Sequence, residues 1–93
     1  MLHIEFFQSR LGDPVSIAHG AHDVRACVAE VQALERKEGD LRQPFSVLLE
    51  AEAVPALSQG IYTVGFDQGE LHDLYLVPAG PRDGLVLYKL VFN

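Results

Sequence analysis

Apolar and polar residues alternate with a period of two through most of the second half of the chain. In FSVLLEAE, Phe45, Val47 and Leu49 share one face while Ser46, Glu50 and Glu52 share the other. That is the pattern of a strand with one face buried. In IYTVGF, Tyr62, Val64 and Phe66 alternate with Ile61, Thr63 and Gly65. DQGE follows, a turn in which Gly69 can take positive φ. HDLYLVP then sets Leu74 and Leu76 opposite Tyr75 and Val77. The two runs and the turn between them predict a β-hairpin. GLVLYKLVFN is apolar on both faces except at Lys89, which predicts a central strand or one whose outer face is covered.

The first half is less regular. DPVSIAH alternates Val15 and Ile17 with Ser16 and Ala18, giving a strand. In LHIEFFQSRLG, Ile4, Phe7 and Leu11 recur at helical spacing and Gly12 stops them, which predicts a short helix or turn capping one end of a barrel. DVRACVAEVQALERKEG fits two patterns. As a helix it has Asp23 as N-cap, an apolar stripe of Val24, Cys27, Val28 and Val31, and Gly39 as its stop. As a strand it has Val24, Ala26 and Val28 on one face, with a bulge near Glu30 where the parity changes. Local rules favour the helix. Gly and Pro punctuate the chain at strand-sized intervals, as in an all-β domain.

The 93 residues suffice for one small core. No apolar run approaches the length of a membrane helix, and the N-terminal residues lack a signal-peptide pattern. The expectation is a cytoplasmic protein that does not engage a membrane. Net charge is −6 and the seven Lys and Arg residues are scattered, which argues against nucleic acid as a partner. Cys27 is the single cysteine. It rules out an internal disulfide and a multi-cysteine zinc site, and reads as a small packing hydrophobe rather than a nucleophile.

Candidate chemistry is concentrated in SIAHGAHDV, where His19 and His22 stand three residues apart and Asp23 follows. On a helix that spacing would place both rings on one face for zinc. Gly20 lies between them after a strand, so a hairpin turn with solvated histidines is the preferred reading. A site would need His72 or His3 brought close. DQGELHD offers Asp67, Glu70, His72 and Asp73 as a carboxylate–histidine group, and reads more simply as a polar hairpin tip. No phosphate loop, dinucleotide fingerprint, calcium loop or nucleophile elbow is present. In SQGIYTV, Gly60 suggests a tight turn or close backbone approach. Gln59 can bond nearby backbone, and Tyr62 can pack its ring with the hydroxyl at the rim. Gln59 and Tyr62 are alternatively part of a recognition surface. Pro78 ends a strand or lies on an edge.

The order of FFQSRLGDPVSI, VRACVAEVQAL, PFSVLLEAE, LSQGIYTV, LHDLYLVPAG and LYKLVFN resembles a small uncharacterised bacterial domain family. The matching positions are Phe7, Gly12, Phe45, Ser46, Gln59, Gly60, Tyr62, Leu76, Val77, Pro78, Gly80, Tyr88, Phe92 and Asn93. The chain departs from the pattern in its long charged ERKEGDLRQ connection and in LLEAEAVPAL, which replaces a short Gly-Pro loop. The resemblance implies a strand over residues 23–33 and carries no activity. It also implies a likeness to accessory proteins encoded beside phage-tail-like collar proteins.

The expected fold is therefore all-β, a small sandwich or partly closed barrel of about six strands with a short N-terminal helical segment. Because the last two strands have apolar outer faces, either the sheet folds into a sandwich or barrel or some of that surface is an interface, and a homo-oligomer is expected. The leading functional expectation is a non-enzymatic interaction or structural module without a cofactor, its protein partner unidentified. Gln59, Tyr62, Tyr75 and Val77 are its candidate contact residues, together with the loops at 35–43 and 53–59. The alternative is a small-molecule-binding or metal-dependent enzyme using His19, His22 and His72 at a barrel mouth.

Overall fold

The computed structural model describes residues 2–93. Six antiparallel strands close into a barrel in the order β1-β2-β3-β6-β5-β4, with β4 returning to β1. The strands are β1 (Pro14–His19), β2 (His22–Ala33), β3 (Phe45–Glu52), β4 (Gly60–Gly65), β5 (Leu71–Arg82) and β6 (Leu85–Phe92), preceded by one helix, α1 (Ile4–Gln8). The all-β expectation holds, and of its two variants the structure takes the barrel, fully closed.

Strand parity explains the interior. Val15 and Ile17, Val24 and Val28, Phe45, Val47, Leu49 and Ala51, Val64 and Phe66, Leu74 and Leu76, and Tyr88 and Leu90 all point inward and are buried. A six-stranded barrel is narrow enough for its own side chains to fill. Residues 22–33 are a strand, not the helix that local rules favour. Pairing to both β1 and β3 supplies hydrogen bonds along the whole segment, and tertiary context overrides a helical propensity of this size. The register shifts between Val28 and Glu30, which is the expected bulge.

α1 plugs one end of the barrel. Five residues cannot hold a helix in water on their own, so docking maintains it. Ile4 and Phe7 are buried, whereas Leu11 is 51% exposed and lies outside the core. The helical spacing of Leu11 is misleading because α1 ends at Gln8 and the chain then turns. Phe7 meets Phe45, Phe66 and Phe92 with ring centroids 5.3–5.9 Å apart. Arg10 lies 3.8 Å over the Phe6 ring and reaches Asp67 at 3.2 Å, tying the helix end to the β4–β5 turn.

β5 divides its pairing. Residues Leu71–Leu76 bond to β4 and residues Val77–Arg82 bond to β6. The strand therefore parts from β6 beyond Val77, and α1 packs inside that fork through Phe6 against His72 and Phe7 against Phe92. Among the described residues, the edge of β5 away from β6 carries no partner strand along the second half. Pro78 and Pro81 lie there, and proline guards a free edge against strand addition.

The tight turns follow their sequences. Gly20 takes φ 61 between the paired residues His19 and His22. Asp83 and Gly84 take φ 53 and 80 between Arg82 and Leu85, as an Asp-Gly hairpin turn requires. A methyl at Gly84 would meet nothing within 4 Å, so only backbone strain opposes it. Gly84→Ala is expected to cost about 1 kcal/mol and to lower Tm by about 4–8 °C. Thermal unfolding by circular dichroism checks this, and an unchanged Tm would contradict the turn geometry. Gly60 needs no such freedom. Its φ is not positive, and a methyl placed there would have a Tyr62 ring carbon as its nearest neighbour, at an ordinary 3.8 Å, so the expected tight turn or close approach is absent.

Candidate functional site

The histidines do not converge. His19 and His22 face each other across the β1–β2 turn, at the barrel end away from α1, and both are exposed. The His19 ring lies 6.3 Å from that of Tyr62. His72 stands at the α1 end, edge-on to Phe6 and Phe66 at 5.4 and 5.8 Å, with its Nε2 2.6 Å from Glu70 Oε2. His3 precedes α1 on its own. Among the described residues no group of three or more His, Cys, Asp or Glu side chains is placed to hold a metal ion. The carboxylates of DQGELHD are likewise engaged separately. Asp67 pairs with Arg10, Glu70 with His72, and Asp73 accepts from the Thr63 hydroxyl at 2.7 Å.

Gln59 and Tyr62 sit beside the connection between β3 and β4. Gln59 is exposed. Tyr62 points inward at the barrel end, and its hydroxyl donates to the Ser58 carbonyl at 2.7 Å, so it secures the loop. Residues 35–43 are similarly tied down, partly within the loop and partly to the two ends of the described chain. Asp40 accepts from the Lys37 amide at 2.7 Å, and Arg42 donates to the carbonyls of Leu2 and Asn93.

Tyr75 and Val77 belong to a different surface, the outer face over β4, β5 and β6. Tyr75 is 51% exposed and pairs in register with Ile61, which is 71% exposed. Val91 on β6 is 53% exposed. Where β5 parts from β6, Tyr75, Val77, Lys89 and Val91 line a shallow hollow of about 300 Å³. β6 is a central strand, paired with both β3 and β5 as one arm of the expectation had it, and its outer face stays open at Val91 and Leu85 but is crossed between them. There Arg82 lies across β6 to reach Glu50 and Glu30, both at 3.2 Å, above the half-buried Leu87. The hydrogen bond with Glu30, then that with Glu50, raises the Arg82 pKa above its usual value. The Arg82 network leaves no trace in the sequence, since its members lie on three strands. Ile61 and Val91 were within reach of sequence reasoning once Tyr75 was singled out, because outward parity plus hairpin register places Ile61 beside it.

A larger open cleft of about 630 Å³ lies over β1, β2 and β4, between Pro14, Ser16, Arg25, Gly65 and Asp67. It holds no nucleophile–base pair and only one cation, Arg25.

No helix among the described residues is long and apolar enough to cross a membrane. Neither the curated proteins nor the solved structures yielded a match to the chain. One family does match, over residues 2–92. The chain therefore belongs to the family described as a domain of unknown function, DUF6916.

Proposed function

We propose that this domain is a non-enzymatic interaction module that engages protein through the outer face of β4, β5 and β6. One observation carries the reading. Ile61, Tyr75, Val77 and Val91, all large and apolar, are exposed together on one sheet face. Scattered exposed apolar residues are ordinary, but a contiguous patch around an aromatic residue is the composition of a binding surface. The interior offers less, because Phe7, Ile17, Leu49, Val64 and Leu76 pack there with no solvent exposure. The likeness to accessory proteins encoded beside phage-tail-like collar proteins gives the module a setting, as a component of such a particle or of its assembly.

A photo-crosslinking residue placed at position 75 or 61 in the living host tests the reading. Defined protein adducts are expected from both positions and none from position 25, which lies on β2 across the barrel. Absence of adducts at 75 and 61 would overturn it. So would stoichiometric zinc or iron in the purified protein that is lost in a His19→Ala/His22→Ala double variant, which would favour the metal-dependent alternative.

A further inference from the structure

We propose that the partner of this face is a second copy of the same chain, packed face to face about a two-fold axis that crosses β5 at Tyr75. The inference rests on the interaction reading above and adds the occupant. Its first support is the arrangement of charge around the patch. Along the outer face of β5 the order is Asp73, Tyr75, Val77, and Lys89 of β6 is paired in register with Val77. The apolar centre is thus flanked by an anion on one side and a cation on the other. A two-fold axis across β5 at Tyr75 exchanges those two sides. It sets Lys89 of each copy beside Asp73 of the other, while Tyr75, Ile61 and Val91 meet their own counterparts.

Both charges are available for this. The ion pairs of the described residues are Arg10–Asp67, His72–Glu70, Arg82–Glu30 and Arg82–Glu50, and Lys89 is in none of them. Asp73 uses one oxygen for the Thr63 hydroxyl. Complementary charge matters here because each chain carries a net −6. Two such chains repel at long range, so a self-association face needs its own cation placed against an anion.

The second support is the closure of the competing route. Barrels lack open edges, and the one free stretch of β5 carries Pro78 and Pro81. Two copies cannot extend one another's sheet there, because proline supplies no N–H. The outer face is favoured over that edge, and its hollow beside Tyr75 gives the aromatic ring of a partner a concave seat.

Sedimentation equilibrium of the full chain, with concentrations up to the high micromolar range, tests the proposal. The wild type is expected at twice the 10.2 kDa chain mass. Tyr75→Glu should be monomeric. Lys89→Glu should weaken association by about tenfold or more, because reversal at a two-fold interface removes two pairs and creates two repulsions. Asp73→Lys should do the same, and the charge-swapped Lys89→Asp/Asp73→Lys variant should recover most of the loss. Circular dichroism confirms folding of each variant. If Asp73→Lys unfolds through loss of the Thr63 bond, Lys89→Glu alone decides. A monomeric wild type, or a dimer indifferent to Tyr75→Glu and Lys89→Glu, would overturn the two-fold pairing. Crosslinks from position 75 to a different protein in the same host, with a monomeric wild type, would leave the interaction module standing and remove only the second copy.

Discussion

Phe7→Ala is expected to cost about 3–5 kcal/mol, the range for truncating a fully buried phenylalanine. Phe7 has no solvent exposure, and it is the one side chain of α1 that reaches Phe45, Phe66 and Phe92 together. Phe45 and Phe92 stack on each other at 4.6 Å directly beneath it. Removing the ring opens the end of the barrel at the fork between β5 and β6. The surrounding strands are held in register by their ladders, so the cavity cannot collapse. A domain of this size has a total stability of roughly 5–14 kcal/mol, and the variant should lose a large part of it. Urea unfolding, read as a midpoint shift at constant slope, measures the change. Amide exchange supplies a local readout, because the Gly12 amide bonds to the Val28 carbonyl at 2.8 Å just after the helix. That amide should lose protection before the barrel does. Phe7→Leu retains most of the volume and should cost clearly less. A loss below about 1.5 kcal/mol for Phe7→Ala would mean that α1 does not close the barrel, since that range belongs to smaller core deletions.

The role of α1 was partly legible in the sequence. Ile4 and Phe7 as the buried pair follow from spacing alone, whereas the expected stop at Gly12 lies four residues past the end of the helix. Leu11 does not follow either, because a spacing argument assumes that the helix continues, and α1 ends at Gln8. β3, β4 and β5 were legible because alternation marks their inward residues, while β6 was read from its nearly continuous apolar run. β2 was harder for a physical reason. Its bulge after Val28 shifts the inward set by one residue, and a broken period of two with Val24, Cys27, Val28 and Val31 in it imitates a period of 3.6. Only the pairing partners on both sides, which lie far away in sequence, distinguish the two.

Closure of the barrel was not readable at all. β1 and β4 meet through two residue pairs, Ser16 with Gly65 and Ile17 with Val64. Nothing in either strand's composition names the other, and a sandwich would have used the same alternation. The candidate site divides along the same line. Tyr75 and Val77 were legible as apolar residues on a strand's second face. That Lys89 lies beside Val77, on the far side of Tyr75 from Asp73, depends on the register between β5 and β6. The histidines show the converse. His19 and His22 were correctly placed at a turn, yet their separation from His72 could be seen only when the β1–β2 turn and the start of β5 proved to occupy opposite ends.

Tyr88→Phe is expected to cost about 1–3 kcal/mol, although it deletes a single oxygen. Leu57 closes the barrel at the end away from α1 and is only 4% exposed. Its amide donates to the Tyr88 hydroxyl at 2.9 Å, and Tyr88 itself is 1% exposed. Without that oxygen a buried N–H is left with no acceptor. The whole desolvation penalty then falls on the loop rather than only the modest net value of a hydrogen bond. Tyr62 holds the same loop one residue further on, donating to the Ser58 carbonyl. That second bond is exposed, so water replaces it in Tyr62→Phe, and the cost should stay below about 1 kcal/mol. The two hydroxyls grip consecutive residues, Leu57 and Ser58, so the double variant should depart from additivity by about 0.5 kcal/mol or more. Chemical denaturation of the three variants gives the cycle. Exchange of the Leu57 amide adds the local test, since it should become fast in Tyr88→Phe and remain slow in Tyr62→Phe. Equal costs for the two single variants would mean that burial of the Leu57 amide is not what makes the Tyr88 hydroxyl matter.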